Sequence, residues 1–170
     1  MEKSIITALM IVAAIICTVI MFKAIYPAIV RSSGAVVSAE RRVSRRMQSE
    51  IEIIHAAGEL DADGTWQDVN GDGYFNVFVW VKNVGDLRIS AVASCDLFFG
   101  PEGNFVRIPF EEEAKGSCPY WTWEIENGTD WDPTRTLKIT IHFDSTLSSG
   151  RYFLRVTTPA GVADDLYFGM

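Results

Sequence analysis

At 170 residues, with 48% hydrophobic and 22% charged side chains and a formal net charge of −7, the chain is too apolar for a disordered or low-complexity protein and has room for one ordinary domain plus one long element. The charge is divided: Met1 to Ala57 holds seven Lys/Arg against four Asp/Glu, and Gly58 to Met170 holds eight against eighteen, which excludes the second part as a nucleic-acid binder. Three cysteines, none in a Cys-x-x-Cys pair, exclude a disulfide-framework miniprotein and argue against a zinc ribbon or a thioredoxin-type site.

Ile5 to Phe22 is an uncharged apolar run of transmembrane length, with Thr7 and Thr18 as its only mildly polar members. A cleaved signal is the alternative, but its core would be shorter and would end in small residues. Within the run Ile5, Leu9, Val12, Ile16 and Val19 recur at helical spacing, and beyond Pro27 the residues Ile29, Val36, Val43, Met47, Ile51 and Ile54 continue as one stripe. The spacing predicts a helix through Ala57, kinked or loosened at Pro27 and Gly34 and far longer than a bilayer is thick. Its stripe needs cover from other molecules, of which identical copies are the simplest. Arg41, Arg42, Arg45 and Arg46 form a basic patch, read either as a solvated face or as the place where helical core meets acidic sheath.

From Tyr74 the period becomes two. Strands are predicted at Tyr74–Asn83, Arg88–Phe99, Asn104–Phe110, Tyr120–Ile125, Arg135–Phe143, Arg151–Thr157 and Val162–Phe168, separated by turn sequences such as GPEG, ENGTDWDP, SSG and TPAG. The predicted class is α+β: a long N-terminal hydrophobic helix over 1–57, then an antiparallel immunoglobulin-like β-sandwich head over 58–170. Topology signals conflict, because Lys23, Arg31 and the arginines favour a cytoplasmic head, whereas Cys95, Cys118 and the sequon at Asn127 suit an extracytoplasmic one.

No catalytic constellation is present. His55 and His142 sit beside no nucleophile, Ser148-Ser149-Gly150 lacks the context of a nucleophile elbow, and Glu111 to Glu113 read as a solvated loop, so an enzyme is not expected. Asp68, Asn70, Asp72 and Gly73 match the first, third, fifth and sixth positions of an oxygen-ligand calcium loop, although Val79 stands where the bidentate glutamate belongs and a strand follows. The segment is read either as a Ca2+ site or as a plain acidic turn. Cys95 and Cys118 are expected to pair, two free thiols being the alternative, and Asn127-Gly128-Thr129 is expected to present an exposed glycan acceptor.

The apolar helix, its amphipathic extension from Ser38-Ala-Glu-Arg-Arg to Ala56, and a strand ending Val79-Trp-Val-Lys-Asn-Val-Gly85 resemble the archaellin group, the filament subunits and accessory proteins of the archaeal swimming organelle. The local motif rests on Lys82, Asn83 and Gly85. The resemblance implies a structural subunit of a helical homopolymer of identical subunits, packed through the N-terminal helices. It also implies a membrane-inserted precursor, a prepilin-type peptidase that removes a leader, an archaellum platform, and an extracellular filament serving motility. The alternatives are a membrane-anchored accessory protein whose head binds the cell envelope, or a type IV adhesion pilin.

Overall fold

The computed structural model describes residues 3, 5–23, 44, 48–61 and 63–170, and the chain divides into two compact units, Met1–Ser44 and Arg45–Met170.

In the first unit, helix α1 (Ile5–Lys23) spans 19 residues, or about 28 Å of rise, close to the roughly 30 Å of a bilayer's hydrocarbon core. Much of it is β-branched, which disfavours a helix in water. In lipid the preference is overridden, because a helix satisfies every backbone polar group within itself. The hydroxyls of Thr7 and Thr18 likewise donate to the carbonyls of Lys3 and Ala14, each at 2.8 Å. Ile5, Leu9, Val12, Ile16 and Val19 are all exposed on this helix. Ile29, Val36, Val43, Met47, Arg41, Arg42, Arg45 and Arg46 lie outside the described residues.

The second unit is an antiparallel immunoglobulin-like sandwich of two four-stranded sheets. One runs in the order β1 (Ile51–Gly58), β2 (Phe75–Asn83), β6 (Thr136–Phe143), β5 (Tyr120–Ile125). The other runs β4 (Val106–Ile108), β3 (Asp96–Pro101), β7 (Arg151–Thr157), β8 (Ala163–Gly169). The inward row of the first sheet is Val77, Val79 and Val81 with Leu137, Ile139 and Ile141, all at most 1% exposed. Leu97, Phe99, Leu154 and Val156 face them from the second.

Strand β1 corrects the expected helix and moves the head boundary upstream of 57/58. Ile51, Ile53 and Ala56 enter the sandwich core while Ile54 is exposed, with a register shift between Ile53 and His55. Ile51 and Ile54 therefore belong to no filament-core stripe. Their three-residue spacing suits either element over so short a run. The β-branched cluster Ile51, Ile53 and Ile54, and a partner edge on β2, settle it as a strand.

The expected strand over 88–99 is reduced to β3. Its first half is an isolated bridge between Ile89 and Trp131 followed by a 3-10 turn at Val92–Ser94, and Ala91 ahead of that turn has φ 57°. A one-turn helix, α2 (Glu111–Ala114), interrupts the strands between β4 and β5. Both seams of the sandwich are stitched: the Ile53 N–H donates to Asp164 Oδ2 at 2.7 Å between β1 and β8, and the Trp121 N–H donates to the Pro109 carbonyl at 3.1 Å between β5 and the end of β4.

Candidate functional site: an aromatic sheet face walled by a polar loop

Because β2 and β6 turn their small and branched residues inward, the pleat turns Asn76, Phe78, Trp80, Lys138, Thr140 and His142 to the other face. Tyr120, Thr122 and Glu124 of β5 continue these rows opposite His142, Thr140 and Lys138. Lys138 Nζ sits 5.2 Å from the Phe78 ring and 2.7 Å from Glu124 Oε1, and the Trp80 ring lies 5.3 Å from that of His55. Phe78, Trp80, Thr122, Trp123, Glu124, Lys138, Thr140 and His142, with Val69 and Asn70 of the β1–β2 connection, line a concavity of about 580 Å³. It is shallow, aromatic and bordered by one cation and one anion, a surface suited to recognition.

His142 is held on three sides on this face. Its ring stacks on Tyr120 at 4.7 Å, meets Tyr74 edge-on at 5.9 Å, and holds Nε2 3.0 Å from the Thr122 hydroxyl. Burial pushes its pKa below the usual histidine value, against the opposing pull of Asp72, whose Oδ2 is 3.7 Å from Nδ1.

The connection between β1 and β2 is built on buried Glu59, 3% exposed. Its carboxylate accepts the N–H groups of Val69 at 3.2 Å and Asn76 at 2.9 Å and the indole N–H of Trp66 at 3.3 Å, so one side chain clamps both ends of the loop. Asp61 accepts the N–H groups of Thr65 and Asp63, and these bonds, the one from Thr65 foremost, hold its carboxyl below the ordinary value. Asp68 accepts from Gly71 at 2.6 Å and Gly73 at 3.1 Å; both glycines have left-handed φ, 73° and 77°. Asp72 accepts from the Tyr74 N–H at 2.8 Å and from the Asn70 amide at 2.8 Å. Burial acts upward on Asp72, but the bonds from Tyr74, Asn70 and Asn76 and the facing His142 outweigh it, and its carboxyl lies below the usual range.

The structure thus brings Asp68, Asn70 and Asp72 together in one curled loop. Among the described residues no group of three or more His, Cys, Asp or Glu is placed to hold a metal; the donors here are two carboxylates mixed with amides and a carbonyl. Sequence reasoning missed Glu59 and Asn76. Asn76 continues the alternate-residue series from Asp68, a signal that was available, whereas the role of Glu59 depends on where β1 ends.

Cys95 and Cys118 are free thiols, which corrects the expected disulfide. Cys95, 3% exposed, precedes β3 in the core, and Cys118 is half-buried ahead of β5 in the other sheet. Burial, with a smaller contribution from Asp96, pushes the Cys95 thiol up to about 12. Asn127 lies exposed in the turn after β5 with φ 57°, and its carbonyl accepts from the Arg135 guanidinium.

The Lys82-Asn83-Gly85 motif is architectural. Asn83 is fully buried; its amide donates to the carbonyls of Leu87 at 2.9 Å and Trp131 at 3.0 Å, and its Oδ1 accepts the Gly85 N–H at 3.1 Å. The N–H groups of Val84 and Gly85 both reach the Glu50 carbonyl at 3.0 Å.

No family model matches the chain. An uncharacterized protein of Archaeoglobus fulgidus is 26% identical over 169 residues, which cover 95% of this chain and 94% of that protein. Among solved structures, the archaellum periplasmic stator protein FlaG from Sulfolobus acidocaldarius is similar with a TM-score of 0.54 and 26% identity, over 71% of this chain and 99% of FlaG. A chain of the stator complex of FlaF and FlaG from the same organism gives 0.53 and 27%, over 70% of this chain and 88% of its own. These solved relatives are stator proteins, so the archaellum resemblance holds at the level of an accessory protein. It does not extend to the expected filament subunit, its homopolymer or an extracellular filament.

Proposed function

We propose that the protein is a membrane-anchored accessory component of an archaellum-type motility machine, a stator-like part and not the subunit of the filament. The observation that carries this reading is a membrane-length helix, α1, in the same chain as a sandwich similar to FlaG along 99% of FlaG's length. Helix α1 holds the chain in the membrane, and the head works on the outer side, where the solved relative is described as periplasmic. The aromatic concavity on Phe78 and Trp80 serves as the surface for a second stator-type protein, a role supported by the occurrence of the solved relatives as a complex. The head's function is then to bind and to bear load, with no chemical step.

The test is deletion of the gene in an archaeon that carries it. The expected outcome is cells that assemble filaments but swim poorly, rescued by the full chain and not by a chain lacking residues 5–23. Normal swimming after deletion, or recovery of this chain as the main component of sheared filaments, would overturn the proposal.

A further inference from the structure

The loop between β1 and β2 leaves one polar atom unexplained. Asn76 is fully buried, and its Oδ1 has no hydrogen-bond partner. An orphaned buried amide oxygen is costly, and native structures retain few without a reason. The other end of the same amide is overcrowded: Nδ2 lies 3.3 Å from Asn70 Oδ1, 3.2 and 3.1 Å from the two carboxylate oxygens of Asp72, and 3.4 Å from the Tyr74 carbonyl. An amide nitrogen has two hydrogens, so it cannot serve four oxygens. Four oxygen atoms converging on one buried point, with an unpartnered oxygen at the far end of the group that fills it, is the arrangement expected where a hard cation belongs.

The sequence positions agree with the geometry. Asp68, Asn70 and Asp72 are the first, third and fifth residues of an oxygen-ligand loop, the Tyr74 carbonyl is the seventh and the Asn76 side chain is the ninth. Asp68 already accepts the backbone N–H groups of Gly71 and Gly73, which fixes the curl.

We infer that Asp68, Asn70, Asp72, the Tyr74 carbonyl and Asn76 form a calcium-binding site, with the Asn76 amide turned so that Oδ1 enters the ring. Water completes the shell, because the twelfth position is Val79, fully buried in the core. Mixed carbonyl and carboxylate donors on an adaptable loop select Ca2+ over Mg2+, which demands a tighter octahedron and keeps its waters. With two formal negative charges the site belongs to the weak class, with a Kd of roughly 10⁻⁴–10⁻³ M, suited to a calcium-rich compartment outside the cytoplasm. Bound calcium orders the wall of the aromatic concavity, since Asn70 both lines that concavity and supplies a ligand.

The site stands independently of the archaellum reading and is tested on the full chain in detergent, by thermal unfolding and by calorimetric titration with CaCl2. The expected result is a melting temperature several degrees higher in 10 mM CaCl2 than in EDTA, with a smaller response to 10 mM MgCl2. Asp72→Asn and Asp68→Asn each lower the affinity at least tenfold, while Asp63→Asn, outside the ring, keeps the full response. If the asparagine variants fail to fold, the native chain still decides: no heat of binding and no thermal shift up to 10 mM CaCl2 overturns the site. An equal shift with MgCl2 overturns the calcium assignment, and a folded Asp72→Asn variant that responds like the native chain places the ion elsewhere and refutes these ligands.

Discussion

The side-chain amide of Asn83, at the end of β2, donates to the backbone carbonyl of Trp131, 48 positions further along the chain, at 3.0 Å. Trp131 is itself buried and pairs with Ile89, so this bond and the one to Leu87 tie two irregular segments to the central strand. Asn83→Ala leaves the Leu87 carbonyl without a partner and takes one of two bonds from the Trp131 carbonyl and the Gly85 N–H, which keep Ile89 and Glu50. The expected loss is about 1–3 kcal/mol of stability, read by urea unfolding of the full chain in detergent. Asn83→Asp should be nearly as damaging, because a carboxylate cannot donate to either carbonyl.

Gly85 is constrained by a backbone that passes too close for any side chain. A Cβ there would stand 2.5 Å from both the Gln48 carbonyl oxygen and the Glu50 nitrogen. Gly85→Ala is expected to destabilise the head by about 1–3 kcal/mol. It should also speed amide exchange at Val84 and Asp86, whose N–H groups bond the Glu50 and Gln48 carbonyls.

The Cys95 thiol, raised from 9.0 to about 12, is protonated and shielded in the folded chain. Iodoacetamide at pH 8 is therefore expected to spare Cys95 until denaturant is added, after which all three cysteines react without reductant. The raised value carries a sign: its stabilisation is whole below the unfolded value near 9 and is lost as pH climbs toward 12, by up to about 4 kcal/mol. A Cys95→Ala variant should lose stability at neutral pH but show a flatter decline over that alkaline window.

Helix α1 is expected to hold the chain in membranes through carbonate washing, as about 20 apolar residues should. Removing residues 5–23 should release the head into the soluble fraction with an unchanged melting temperature, because the head forms a compact unit of its own. A head that stayed with washed membranes would refute anchoring by α1.

Strands such as Tyr120–Ile125 and Arg151–Thr157 were legible to the residue, because alternation and turn chemistry agreed there. Strand β1 was not, since Ile51 and Ile54 sit three apart at the end of a long helical pattern and their true neighbour, β2, lies beyond a 16-residue connection, Glu59 to Tyr74. Such a pairing is a tertiary fact. The same limit applied to Cys95 and Cys118, whose types and spacing carry no information on the sheets that hold them. The Lys82-Asn83-Gly85 motif was visible, but its meaning as a clasp on Glu50 needed the fold.

Strand β1 is also where the chain first enters the head, directly downstream of everything that leads to the anchor. A pull on the N-terminus along the axis of β1 loads its antiparallel ladder to β2 in shear, so that the hydrogen bonds from Ile51–Asn83 to Gly58–Val77 resist together. The bonds from Val84, Gly85 and Asp86 back to Glu50 and Gln48 lengthen that grip by one further turn of chain. Tension along the chain would thus meet the ladder as a lap joint under strain and not as a zipper opened one tooth at a time.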